Sequence, residues 1–329
     1  MKYDLITFGD ITIDAFIRLQ NAEVHCEINN ESCKICMPFA TKIPYESVTE
    51  VLAVGNGPNA AVASARIGLA SALIAHVGDD NNGKRCLDAL KERGVATEYV
   101  GVHPGMVTNY HYVLQYGPER TILIKHEAYP VKLPALVEPP TWFYLTSLPL
   151  DTLDYHLEIA HFVRQNGVKL AFQPGTFQLQ LGTEKLKEVY EATEIFFCNK
   201  EEAQEILGTK DEHDIKKLME GIRALGPKIA VVTDGPKGSN VMDDSGAYHV
   251  PMYPDPAPPV SRTGAGDATA ATTVAYIIKG LTPQDALMRG VINAAAGVQA
   301  VHVQLGTLNA EKIEEWYAKR PADFVATVL

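Results

Sequence analysis

Short apolar runs with alternating or continuous burial patterns alternate along this chain with longer segments of helical spacing. The strand-type runs are Tyr3 to Gly9, Ser71 to Val77, Thr141 to Thr146, Lys169 to Gln173, Glu194 to Cys198 and Lys228 to Thr233. Between and after them the spacing predicts helices at Asn59 to Ile67, Gly83 to Arg93, Leu153 to Gln165, Glu201 to Leu207, Asp214 to Leu225 and Ala268 to Ile278. Gly94, Gly167 and Gly226 each follow a helix, where a left-handed cap residue is wanted. Such alternation predicts an α/β fold: a mostly parallel sheet covered by helices.

Two stretches break the rhythm. Residues about 11 to 53 are too long for a plain strand-to-helix connection and contain the alternating run Ile11 to Ile17. Residues about 99 to 127 include a predicted hairpin, Tyr110 to Tyr116 and Arg120 to Lys125 around a Gly117-Pro118-Glu119 turn. Two β excursions on one edge of the sheet predict a lid.

Composition narrows the class. With 329 residues, 46% hydrophobic and 21% charged, the chain can bury a large core as one α/β domain with an appendage, or as two domains. Lys plus Arg number 29 against 40 Asp plus Glu, a net charge of −11, which disfavours nucleic acid and anionic lipid as partners. No apolar run reaches the roughly 18 residues that would span a bilayer, and the amino terminus does not read as a signal peptide. Five cysteines, an odd number, predict reduced thiols and a cytoplasmic location.

Five local patterns could carry chemistry. Thr263-Gly264-Ala265-Gly266-Asp267 opens a small-residue helix, so backbone amides crowd at a helix start suited to phosphate oxygens. An acid there would oppose a bound anion unless it accepts a proton or helps hold a metal; the plain alternative is a dipole-complementing residue. Val54-Gly55-Asn56-Gly57-Pro58-Asn59-Ala60 nearly satisfies a dinucleotide fingerprint, which leaves an NAD-dependent oxidoreductase in contention. Gly78 to Arg85 misses a P-loop because Arg85 stands where a magnesium-binding hydroxyl belongs, and reads as a turn and helix start. Asn199-Lys200-Glu201-Glu202 follows a strand and suits either a hydrated magnesium ion or a helix cap. His25, Cys26, Cys33 and Cys36 lie close enough for zinc, although adjacent ligands make a strained clamp; Cys86 and Cys198 read as buried thiols.

In chain order these fragments resemble the ribokinase, or PfkB carbohydrate kinase, family over essentially the whole chain. Ser261 to Asp267 is similar to its D-T-x-G-A-G-D signature and Val54 to Ala61 to its G-G-x-x-x-N-x-A. Asn199 and Glu202 match N-x-x-E; Thr233, Gly235 and Gly238 match T-x-G-x-x-G. Gly9 to Asp14 and the Gly78-to-Gly83 turn also have counterparts.

The resemblance implies a single ribokinase-like domain over residues 1–329: a mostly parallel central sheet, helices on both faces and a small β lid. It implies transfer of the γ-phosphoryl group of ATP, assisted by Mg2+, to a hydroxyl of a sugar, sugar phosphate or nucleoside. Asp267 would be the base, and Gly264, Ala265 and Gly266 the anion hole. Asn199 and Glu202 would position phosphates and magnesium, Glu202 through water. Thr233, Gly235, Gly238, Arg262 and Thr263 would line the nucleotide, with Asn293 near the adenine. Thr12, Asp14, Gly55 and Asn59 would hold the acceptor. Ser261 departs from an Asp that helps organise a monovalent-cation site, so potassium activation is not implied. Val54 narrows the acceptor side. A nucleoside kinase would use Phe16, Tyr110 and Tyr112 to stack a base; a non-catalytic sugar or nucleotide sensor is a further alternative. An exposed lid edge would suit a homodimer.

Overall fold

The computed structural model describes residues 2–26, 33–116, 119–149 and 151–329. The chain opens with β1 (Leu5–Phe8) and departs into β2 (Thr12–Leu19), a ribbon of β3 (Glu23–Cys26) and β4 (Cys33–Cys36), and β5 (Tyr45–Val54). It returns through α1 (Asn56–Arg66) to β6 (Ser71–Gly78), α2 (Asn81–Glu92) and β7 (Val100–His103). A second departure forms β8 (Asn109–Tyr116) and β9 (Glu119–Leu123). Then follow β10 (Trp142–Leu145), α3 (Leu153–Asn166), β11 (Lys169–Phe172), α4 (Thr176–Lys185), α5 (Lys187–Ala192) and β12 (Thr193–Asn199). Next come α6 (Lys200–Leu207), α7 (Ile215–Ala224), β13 (Ile229–Thr233), β14 (Ser239–Asp243) and β15 (Gly246–Val250). The chain ends with α8 (Ala265–Ile278), α9 (Pro283–Gly297), α10 (Val303–Gly306), α11 (Ala310–Ala318) and β16 (Thr327–Val328).

Ten strands form one sheet in the order β16-β15-β14-β13-β12-β11-β10-β1-β6-β7, parallel from β13 to β7 and antiparallel at the β14–β16 edge. Alternate residues of β10 explain why its run is apolar throughout. Phe143 and Leu145 belong to the core on one face, with Ile159 of α3 and Ile222 of α7; Trp142 and Tyr144 belong to the core on the other, with Ala63 of α1 and Val274 of α8. A strand covered on both faces has no polar side to show.

From β1 the chain proceeds to β6 and β7 in one direction, and from β10 to β13 in the other. The carboxyl ends of β1 and β10 therefore border the switch point where open parallel sheets bind ligands. There the backbone is crowded: a Cβ on Gly57, in the first turn of α1, would lie 2.8 Å from the Cα of Gly9. Thr146, just past β10, donates to the carbonyl of Phe8 at 2.6 Å.

The smaller sheet has the order β5-β2-β8-β9, with β2 and β8 parallel and the flanking pairs antiparallel. Gly117 and Pro118 of the expected hairpin turn lie outside the described residues. The second departure is shorter than the sequence suggests. Val100–His103 pairs in parallel with β6, because its alternation suits the open edge of the large sheet. Cys26 and Cys33 form a disulfide across the β3–β4 ribbon, which corrects the expectation of uniformly reduced thiols. It also removes two sulfurs from any zinc site, and His25 turns to Glu23; no metal-holding group of three ligands exists among the described residues. Gly94 and Gly167 have the expected left-handed φ angles of 80° and 63°.

Because the Gly9–Gly57 contact is backbone on backbone, no rotamer change can relieve an added methyl. Gly57→Ala should lower unfolding free energy by about 1–3 kcal/mol in urea titrations; an unchanged midpoint would show that the two chains can separate freely.

Candidate active site

Helix α8 begins at the switch point because Gly264 caps it with φ 80°, a left-handed conformation. A Cβ there would also fall 2.4 Å from Val303 Cγ1, so conformation and space both require glycine. The next residues, Ala265 and Gly266, present the amide-rich start of the helix. Asp267 completes the first turn, only 8% exposed.

Two side-chain amides hold its carboxylate. Asn59 Nδ2 donates to Oδ2 at 2.8 Å and Gln173 Nε2 donates to Oδ1 at 3.1 Å. Burial pushes the Asp267 pKa up, and these two donors pull against that rise. Tyr144 donates to Gln173 Oε1 at 2.5 Å from behind.

Asn59 links Asp267 to the base of the smaller sheet, since it follows β5, whose Val54 pairs with Thr12. Thr12 donates to Asp14 Oδ1 at 3.1 Å, and His111 Nδ1 lies 3.5 Å from the same oxygen. Next to them His126 Nδ1 is 3.3 Å from Asp10 Oδ2. Gly55 and Asn59 flank the turn into α1.

Ala265 and Gly266, which precede Asp267, border an open pocket of about 180 Å3. Thr233, Gly235, Gly238, Arg262, Ala265 and Gly266 all line it. Arg262 is 3.8 Å from Asp255, and Ser261 and Thr263 share a hydroxyl contact of 3.2 Å. Four of the eight residues expected on the nucleotide side, Thr233, Gly235, Gly238 and Arg262, thus share one pocket. Asn293 does not line it: it is fully buried, donating to Thr272 Oγ1 at 2.7 Å and accepting from the Leu308 amide at 2.7 Å. Both ends of its side chain are committed to joining α8, α9 and the segment before α11.

Asn199 and Glu202 form a reciprocal cap at the start of α6: the Glu202 amide donates to Asn199 Oδ1 at 2.7 Å and the Asn199 amide to Glu202 Oε2 at 2.8 Å. Burial raises the Glu202 pKa, and repulsion from Glu201, Glu205 and Asp267 adds to it. The capping reading of Asn199 and Glu202 is therefore present.

The dinucleotide alternative lacks its strand, because β5, which feeds the Gly55–Asn59 turn, belongs to the smaller sheet. Asp80 caps α2 by accepting from the Gly83 amide at 2.8 Å, as a turn and helix start should. Gln173, His111, His126 and Gln304 escaped sequence reasoning. Gln173 carried one usable signal, a polar residue just past a buried parallel strand; the others converge only through tertiary structure.

The Asp10 contact supplies a pH test. Hydrogen bonding to Asp10 raises the His126 pKa, outweighing burial. Its stabilisation is complete below the unfolded-state value of about 6.5 and fades as pH rises through the raised folded value. Unfolding of wild type and Asp10→Asn, compared at about pH 6 and about pH 8, should show the larger gap at the lower pH. Equal gaps would mean that the pair is not charged in the folded protein.

A family model described as pfkB family carbohydrate kinase matches residues 24–310. Mouse ribokinase is 25% identical over 263 residues, covering 76% of this chain and 79% of that protein. The structure of Arabidopsis thaliana ribokinase complexed with ribose and ATP aligns with a TM-score of 0.77 at 19% identity, over 96% of this chain and 98% of that one. The Methanocaldococcus jannaschii nucleoside kinase aligns with a TM-score of 0.76 at 20% identity, over 97% and 99%. These alignments establish the ribokinase fold. With the family match running from within the first β excursion to the start of α11, the chain belongs to the pfkB family of carbohydrate kinases.

Proposed function

We propose that the protein transfers the γ-phosphoryl group of ATP to a hydroxyl of a sugar or sugar phosphate, with Asp267 as the base. The observation that carries this reading is a buried carboxylate, held by Asn59 and Gln173, on the first turn of α8, whose Ala265 and Gly266 line the Thr233–Gly238 pocket.

Phosphoryl transfer demands alignment and charge neutralisation more than a strong base. Asp14, Thr12, Gly55 and Asn59 would grip the acceptor's hydroxyls and turn one toward Asp267, which takes its proton. The amides of Gly264, Ala265 and Gly266 would face the transferring group. Thr233, Gly235, Gly238, Arg262 and Thr263 would hold the nucleotide. Magnesium, when bound, would neutralise phosphate charge. Glu202, which is repelled by Glu201, Glu205 and Asp267 and has no ion-pair partner among the described residues, suits it through water, with Asn199 beside it. Ser261, a hydroxyl bonded to Thr263, offers no carboxylate for a monovalent cation.

A sugar is favoured over a nucleoside because two of the three candidate stacking aromatics are already engaged. Phe16 is buried with its ring 6.2 Å from that of His302, and Tyr110 donates to Glu50 Oε1. The smaller sheet would act as a lid that keeps water from the phosphoryl group. Its outer face leaves Val48, Tyr112 and Leu123 about half exposed. That apolar face supports pairing of two copies through the lid. Use of ATP favours a cytoplasmic enzyme, whereas the Cys26–Cys33 disulfide is more at home in an oxidising compartment.

Two measurements test this. In a coupled assay with Mg-ATP over sugars, sugar phosphates and nucleosides, Asp267→Asn should lose at least about a hundredfold in turnover. Unchanged turnover would remove its role as base. In sedimentation experiments Leu123→Lys should shift the protein toward a monomer; a wild type already monomeric would refute the pairing.

A further inference from the structure

Behind Asn59 lies a chain of side chains to which the proposed reaction assigns no contact with substrate or nucleotide. Gln304 Nε2 donates to Asn59 Oδ1 at 2.8 Å and to the carbonyl of Ala53 at 2.9 Å. Its Oε1 accepts from Arg93 Nη1 at 2.6 Å, and the same nitrogen donates to the Leu52 carbonyl at 2.7 Å. Gln304 is 1% exposed. Its main chain is pinned as well, since Arg66 Nη1 donates to the Gln304 carbonyl at 2.5 Å and to Thr307. Neither Arg66 nor Arg93 forms an ion pair among the described residues.

An amide side chain can present either its oxygen or its nitrogen, and the two ends have nearly the same shape. Guanidinium removes that choice, because it has donors only. Facing Arg93, Gln304 must offer oxygen, so its nitrogen must face Asn59. Asn59 must then receive on oxygen, leaving its nitrogen for Asp267. Reversed, the Asn59 oxygen would oppose the carboxylate in a nearly dry setting.

We infer that Arg93 and Gln304 are positioning residues: together they fix the polarity of the Asn59 amide, so that its nitrogen rather than its oxygen meets the Asp267 carboxylate and aims it at the acceptor hydroxyl. This rests on the proposed role of Asp267 as base. The other titratable groups that feel Asp267 are Tyr144 and Glu202, on different elements, and neither belongs to the relay.

The decisive variant is Gln304→Glu. It keeps the size of the side chain and still accepts from Arg93, but it has no donor for Asn59. With Mg-ATP and the best acceptor, kcat should fall about tenfold to a hundredfold while KM for ATP stays within about twofold. The acid limb of the kcat/KM profile should move to higher pH, since losing the Asn59 donor favours the protonated carboxyl. Circular dichroism and thermal unfolding report whether the variant folds. If it does not, Arg93→Met and Arg93→Lys decide: Lys, also a donor only, should preserve rate and acid limb, and Met should reproduce the defect. A normal kcat and an unmoved acid limb in Gln304→Glu, with Asp267→Asn inactive, would overturn the relay alone. A fully active Asp267→Asn would overturn the base assignment and the relay with it.

Discussion

A carboxylate removed from water must be given hydrogen-bond partners or give up its charge, and Asp267 places that demand at the centre of this fold. Its partners come from separate parts of the chain: Asn59 from the helix that follows the first β excursion, and Gln173 from the end of a central strand. Each is fixed from the rear, by Gln304 and by Tyr144. Misplacing any of these elements would leave a polar atom buried without its partner. The architecture around the site is thus constrained by satisfying one acid as well as by packing.

The same economy governs the backbone. Close approach of Gly9 to Gly57 brings α1 onto the end of β1, and the left-handed Gly264 turns α8 toward the same point. Two helix starts thereby meet at the topological switch of the sheet. Side chains carried on their first turns can touch, as Asn59 and Asp267 do, although 208 positions separate them in sequence.

What could be read from sequence follows from which forces are local. Continuous apolar runs such as Trp142–Leu145 announced buried parallel strands, and the residues at 263–267 announced an amide-rich helix start. Asn199 and Glu202 were legible as a cap because a capping box is complete within four residues. Asn293 was not legible: its amide is satisfied by Thr272 and by the Leu308 main chain, a partner set that only the packing of α8 on α9 creates. Gln304 and Arg93 were invisible for the same reason, as was Val100–His103, whose alternation fits an excursion and a sheet edge equally well. The Cys26–Cys33 bridge depends on the register of β3 against β4, which cysteine counting does not supply.

A chain of net charge −11 is at first sight poorly suited to a polyanionic nucleotide. The cations nearest the pocket do little to change that, because Arg262 lies beside Asp255 and Lys200 lies 3.8 Å from Asp234. On the proposed reading, neutralisation therefore falls to uncharged donors at the start of α8 and to a divalent ion. Such donors are fixed in direction by the helix, whereas a mobile lysine would compete for Asp267 itself. An acidic surface and a phosphate site are compatible when amides supply the attraction, and this arrangement leaves the base free to keep the one proton it must receive.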